Sequence, residues 1–259
     1  MYGLPARRLL SFLLLVNVAA GEHDGADHEI EFWKKTIETY GGRNWPRLDP
    51  SKPIVSALRR YLQATAKHSN ILVVGSGPSS DIGYRSWPGH TVSIYLTDAL
   101  AEKYEAMYQS LGYYPPATPT KVAAEKLHHR FAHGAFDLVY SVNALDHADN
   151  PVKALQSMVA VAAPCAWVVV EVWEDEGKAA GGVGMHQWNI RIVQHKPLFA
   201  AQKPVAEIMS VKTGVKTIVT PTLLGASKIN ATLFNGCYLN GDCNMPDKPR
   251  VRIEIQKSC

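Results

Sequence analysis

No stretch of the sequence interleaves lysine and arginine with aromatic residues, and 27 basic against 23 acidic residues leave a net charge of only +4. Charge therefore gives no reason to expect a nucleic-acid partner. The chain also lacks an apolar run of membrane-spanning length: the run from Leu9 to Val16 falls well short of the about 20 residues that a spanning helix needs. Cysteine is scarce, with four in 259 residues, and its spacing fits no common zinc motif, so no metal site is expected. What is abundant is core-forming material. Hydrophobic residues make up 46% of the chain, enough for the core of one large globular domain.

The first residues stand apart from that domain. Arg7 and Arg8 precede the short apolar run, and Val18 and Ala20 put small residues ahead of a cut before Gly21. Residues 1–20 thus read as a signal peptide, which sends the chain into the secretory pathway or out of the cell and leaves no stable membrane span once removed. A bipartite organelle leader and an uncleaved anchor are the alternatives. Cys237 and Cys243, in the loop FNGCYLNGDCNMP, are close enough to pair in an oxidising compartment, and Cys259 competes for either partner. Cys165, between a helix and an apolar strand, is expected to be an inert core thiol. Asn230-Ala231-Thr232 is an N-glycosylation sequon.

Residues 21–69 read as an N-terminal helical extension. His28 to Tyr40 places Ile30, Trp33, Ile37 and Tyr40 at helical spacing, and Gly41 and Gly42 stop the helix. The prolines of NWPRLDPSKP make a loop. Ile54 to Ala66 is then expected as a second helix with Val55, Leu58, Tyr61 and Leu62 on one side. Trp33 and Trp45 either line a substrate entrance or pack these helices onto a sheet.

The rest of the chain is organised around NILVVGSGPSSDIG, from Asn70 to Gly83. Ile71 to Val74 form an uninterrupted apolar run, the mark of a strand buried on both faces. The strand breaks at Gly75 and Gly77, which allow positive φ and a close approach to the main chain. Asp81 follows where a helix is expected to begin. A strand, glycine turn and helix in this order form the place where doubly wound sheets bind adenine-containing ligands. A second strand, TVSIYL, ends in Thr97 and Asp98, about 20 residues beyond the first glycines. A carboxylate there can accept both hydroxyls of a ribose, and it can equally cap the helix ALAEKYEAMYQSLG.

Phe136 to Val172 reads as a strand, a polar turn, a helix opened by Asn150-Pro151, and a second apolar strand. With these elements in order, Asn70 to Val172 resembles the class I S-adenosylmethionine-dependent methyltransferases, in particular the type 11 group. The resemblance implies an α/β fold: a doubly wound, Rossmann-like, mostly parallel sheet of seven strands with an antiparallel C-terminal edge and helices on both faces, over residues 70–259. It implies S-adenosylmethionine as the cofactor and methyl transfer to a small molecule, or else to an exposed protein or peptide group. Carried over by position, Gly75, Ser76 and Gly77 pass under the methionine portion and Asp98 holds the ribose. Ala124 and Glu125 lie beside the adenine, and Asn143 ends strand four.

Such a transfer asks for alignment and exclusion of water more than for covalent help. A hydroxyl or acidic carbon as acceptor would also need a base, for which His147 is the first candidate and Asp146 the second. The alternative for His147 is a solvated side chain in a polar turn.

Three positions depart from the family. Val74 and Ala123 stand where relatives carry acidic residues, and Pro164-Cys165-Ala166 replaces proline-glycine-glycine. The first two changes open a second reading, a non-catalytic binding protein of the same fold with a degenerate cofactor site. A nicotinamide-dependent oxidoreductase is disfavoured: Ser80 occupies the third glycine position, and no Tyr-x-x-x-Lys pair follows strand four.

After strand five, EDEGKAAGGVG reads as a flexible loop and Met185 to Gln194 as a helix, whose His186 and Trp188 are candidates for substrate contact or for packing. Lys216 to Thr220, Ala231 to Phe234 and Val251 to Ile255 are short β-type runs expected at the antiparallel edge, with the cysteine loop between two of them.

Overall fold

A computed structural model describes residues 25–195, 203–242 and 247–259; the leader and Cys243 lie outside the described residues. Its centre is a seven-stranded sheet. The strands are β1 (His68–Val74), β2 (Thr91–Asp98), β3 (Thr120–Lys121), β4 (Phe136–Val142), β5 (Ala162–Trp173) and, from the C-terminal part, β9 (Ala226–Phe234) and β10 (Arg250–Lys257). They lie in the order β3-β2-β1-β4-β5-β10-β9, with β1 to β5 parallel and β10 antiparallel to both of its neighbours. This is the expected mostly parallel sheet with an antiparallel C-terminal edge.

The pleat explains why β1 needs no polar alternation. Leu72 and Val74 point into one core with Val139, Val168, Val170, Leu155 and Met158, while Ile71 and Val73 point into the other with Leu138, Tyr140 and Val169. Burying such a side chain contributes roughly 1.5–3 kcal/mol, so the central strands anchor the fold. The helix α3 (Pro151–Val161) covers the first face, opened by Pro151 and by the Asn150 side chain, which accepts the Lys153 N–H. The second helix of the chain, α2 (Ala101–Leu111), ends at Gly112 with φ 71°.

The N-terminal helix α1 spans residues 25–39, as its apolar spacing predicts. Four other expectations are corrected. Instead of a helix from Ile54 to Ala66, a 3-10 turn runs only from Ser56 to Tyr61. Val55, Leu58 and Tyr61 recur every third residue, which is the 3-10 period. No helix begins near Asp81: residues 78–90 form turns and bridges, in a stretch broken by Pro78, Gly83, Pro88 and Gly89. Leu58 and Tyr61 of the 3-10 segment, with Ile54 just before it and Ile82, cover the sheet face instead.

The third correction concerns the insert after β5. It consists of α4 (Glu176–Ala179), β6 (Trp188–His195), β7 (Lys203–Ser210), β8 (Lys216–Ile218) and α5 (Pro221–Leu224). Met185 to Gln194 is therefore mostly strand rather than helix, in keeping with the β-branched residues of NIRIV. β6, β7 and β8 form a separate antiparallel sheet, so Lys216 to Ile218 does not edge the main sheet. Ile190, Ala206 and Ile208 from this small sheet join the main core.

The fourth is Cys165, which is not a free thiol: it forms a disulfide with Cys259, 94 residues on. Antiparallel pairing sets Gln256 opposite Trp167, and so carries the end of the chain to the start of β5. Cys165 has φ 63°, the left-handed region that favours glycine, in the part of β5 where the register with β4 shifts. Cys237 is also disulfide-bonded. Among the described residues no helix is long and apolar enough to cross a membrane.

Candidate functional site

The carboxyl ends of β1, β2 and β4 open onto a cleft of about 240 Å³. The glycine turn is tied to the second strand, because the N–H groups of Gly75 and Ser76 both donate to Thr97 O, at 2.9 and 3.1 Å. Asp98 completes the link: Oδ2 accepts the Gly77 N–H and Oδ1 the Leu100 N–H, each at 2.9 Å. Leu100, not Asp98, occupies the N-cap of α2. Burial pushes the Asp98 carboxyl above its ordinary value of 3.8, partly offset by the two N–H donors.

Both turn glycines are required by the protein's own packing as well as by their φ of 65° and 64°. A Cβ on Gly75 would lie 2.3 Å from the Ala144 Cβ, and one on Gly77 2.9 Å from the Trp33 ring. Trp33 belongs to α1, which thereby roofs the glycine turn. Its Nε1 donates to Glu29 at 2.7 Å, its ring lies 5.9 Å from Trp45, and the Arg47 guanidinium sits 5.0 Å from it. Trp33 thus lines the cleft and packs against its neighbours, whereas Trp45 is buried in packing.

Arg47, which the sequence did not single out, and Asp81, expected only to begin a helix, both line the cleft. Arg47 Nη2 donates to Ser76 O and Ser79 O, both at 2.6 Å, and holds the turn where a helix is missing. Asp81 Oδ2 accepts from Asn240 at 2.9 Å. Arg47 Nε and Asp81 Oδ1 are buried and have no hydrogen-bond partner. Arg47 reaches the carbonyl of Ser79, two residues before Asp81, and both residues line the cleft.

Ala124 and Glu125 line the cleft just after β3, with Glu125 accepting the Asn150 N–H at 2.9 Å. Asn143, at φ 50°, ends β4 on the cleft wall, its N–H donating to Glu171 O at 2.7 Å. His147 also lines the cleft. Asp146, 1% exposed, stands behind it, with Oδ2 at 2.6 Å from His186 Nδ1. Burial raises the Asp146 carboxyl, but the His147 and His186 rings more than offset this and hold it low. Burial lowers His186, and the Asp146 carboxylate more than offsets that and holds it high. His186 and Trp188 do not line the cleft; Trp188 Nε1 donates to Ala148 O at 2.8 Å. The cleft therefore brings together Gly75, Ser76, Gly77, Asp98, Ala124, Glu125, Asn143 and His147, with Asp146, His186 and Trp188 in the layer behind.

Residues 72–170 match a family model described as a methyltransferase domain. Similar solved structures include the CurJ carbon methyltransferase, 12% identical over 78% of this chain and 51% of that one, with a TM-score of 0.45. This chain spans about half of that structure's length. Another is the N-methyltransferase NodS of Bradyrhizobium japonicum, in complex with S-adenosyl-L-homocysteine, at 14% identity, 78% and 83% coverage and a TM-score of 0.42. A third is a methyltransferase of Thermotoga maritima described as a possible histamine N-methyltransferase, at 13% identity, 89% and 99% coverage and a TM-score of 0.45. The matched segment holds the end of β1, all of β2 to β4, most of β5 and the glycine turn, so this part of the chain is similar to a methyltransferase domain.

Proposed function

We propose that the cleft binds S-adenosylmethionine and that the chain transfers its methyl group to a small-molecule acceptor. The observation that carries this reading is the pair of opposite charges on the wall, Arg47 and Asp81, with Nε and Oδ1 unpartnered. The amino-acid end of this cofactor bears an ammonium and a carboxylate on one carbon, which matches both groups. A dinucleotide would instead bring the negative pyrophosphate beside Asp81, a poor match. Asp98 has lone pairs left for ribose hydroxyls, because each carboxylate oxygen carries two and the backbone uses one on each. Ala124 and Glu125 border the adenine.

When bound, the cofactor supplies a methyl group already activated on a sulfonium. The chain's task is to hold and align: Asp98 and the glycine turn fix one partner, and Trp33 and Glu29 of α1 cover it from water. The acceptor's place is beside His147, and any proton it releases leaves at that end of the cleft. An exposed protein or peptide group is the other acceptor class.

The test is calorimetric titration of the full chain with S-adenosylmethionine and S-adenosylhomocysteine, beside Asp98→Ala. Micromolar binding that Asp98→Ala weakens by about 1–3 kcal/mol, roughly ten- to a hundredfold, is the expected result. No binding by a folded sample would overturn the proposal. Binding without turnover in an acceptor screen would favour the non-catalytic alternative. A secretory location is part of the same proposal. It is supported by the Cys165–Cys259 disulfide, since such bonds persist in oxidising compartments. A glycosidase-sensitive mass at Asn230 in the expressed protein is its readout.

A further inference from the structure

Behind the acceptor end of the cleft, three side chains from two distant parts of the chain converge. Asp146 and His147 lie in a 3-10 turn after β4, and His186 lies just before β6. Asp146 Oδ2 is 2.6 Å from His186 Nδ1, His147 Nε2 is 3.0 Å from the same nitrogen, and His147 Nε2 is 3.6 Å from Asp146 Oδ2. Hydrogen bonding accounts for only part of this. A ring nitrogen carries one hydrogen or one in-plane lone pair, so a proton on His186 Nδ1 would have to be shared between both short contacts in a three-centre bond. Two imidazole nitrogens and one carboxylate oxygen pointed at one another are instead the donor set of a cation.

From this geometry we propose that Asp146, His147 and His186 bind one divalent first-row transition-metal ion at the wall of the cleft. The dimensions fit. A triangle with sides of 2.6, 3.0 and 3.6 Å has its corners about 1.8 Å from its centre, so an ion about 2.1 Å from all three stands about 1 Å out of their plane. Two neutral imidazoles and one carboxylate on one face of an ion leave its other positions open, and this set favours first-row metals over magnesium or calcium.

The scaffold holds the donors in place before any ion arrives. The Gln187 N–H donates to Asp146 O at 3.1 Å, and Trp188 Nε1 donates to Ala148 O, so the His186 segment is pinned on both sides of the turn. The Gln187 side chain donates to Gly182 O and Gly184 O, which fixes the preceding loop. Asp146 is 1% exposed, His147 14% and His186 29%, a gradient that runs from a buried anchor to an accessible entry side. With the ion bound, His147 Nε2 is a ligand, and an acceptor oxygen on an open position loses its proton through the charge of the ion. That consequence rests on the methyl-transfer reading; the metal site itself does not.

The experiment is a titration of the metal-stripped full chain with Co²⁺, read by its visible absorption, and with Zn²⁺, read by elemental analysis after dialysis. No cofactor is present, so failure of cofactor binding leaves the result untouched. One equivalent bound by the wild type, weakened about a hundredfold or more in both His147→Ala and His186→Ala, is expected. His186 is partly exposed, so its variant keeps the fold, as circular dichroism will verify. His128→Ala/His129→Ala, removing the other adjacent histidine pair, should bind as the wild type does. Less than about a tenth of an equivalent in the wild type, or full binding in both single variants, would overturn the proposal.

Discussion

The floor and the roof of the cleft reach their places by different routes. The floor is the ends of β1, β2 and β4 with the turns that follow them, and each turn is bonded to the neighbouring strand: Gly75 and Ser76 to Thr97, Gly77 to Asp98, Asn143 to Glu171. The roof is assembled from α1, the Arg47 loop, Met185 and Asn240, segments that share no strand with one another. The floor's geometry follows from sheet register, which is set by fully buried side chains, and a shift of one residue would turn each of them to the wrong face. The roof rests on aromatic and cation–π contacts among Trp33, Trp45 and Arg47, and these are individually modest. A floor change should therefore damage fold and ligand together, and a roof change ligand alone.

Gly75→Ala is the severest test of that contrast. It forces a left-handed alanine, which costs roughly 1–2 kcal/mol, and drives its Cβ against Ala144, with overpacking worth about 1–3 kcal/mol more. Denaturant unfolding should show a clear fall in midpoint; an unchanged midpoint would mean the turn is not set as described. Cys259→Ser should cost roughly 2–4 kcal/mol in the same measurement, because it releases a closed loop of 94 residues. Since that bond lies at the far end of β5, cofactor affinity should not change. Trp33→Ala should reverse the pattern: several-fold weaker cofactor binding, with an unfolding midpoint that moves less than in Gly75→Ala.

The smallest expected effect is on pH dependence. The Asp98 carboxyl is raised above 3.8 in the folded chain. Its protonation therefore begins at a higher pH than for an ordinary aspartate and removes an acceptor for the ribose hydroxyls. Cofactor affinity should decline on the acid side, from a pH above the ordinary aspartate range, and Asp98→Asn should flatten that decline. An acid limb that persists in Asp98→Asn would place the titrating group elsewhere.

The same division explains what could be read in advance. Ile71 to Val74, Asp98 and the Phe136–Val142 strand carry local signals, so the sheet, its order and eight cleft residues follow from apolar runs, glycines and family resemblance. Arg47 lies in a proline-rich loop whose spacing says nothing about direction, and it reaches the Ser76 and Ser79 carbonyls where a helix is missing after Gly77. The expected helix at Asp81 is absent, and Pro78, Gly83, Pro88 and Gly89 are the residues that break it. His186 was visible as a residue but not as a partner of Asp146. Their meeting depends on how the insert folds, and there β-branched residues overrode an apparent helical stretch. Cys165 and Cys259 illustrate the same limit, since only the antiparallel register of β10 on β5 brings them together.

A crystal structure of the full chain with S-adenosylhomocysteine tests the account most directly. The account predicts the ribose hydroxyls within hydrogen-bond distance of Asp98, and the amino and carboxylate groups at Asp81 Oδ1 and Arg47 Nε, under Trp33. A nucleoside bound away from Asp98, or an amino-acid end that leaves both Asp81 and Arg47 unpaired, would contradict it.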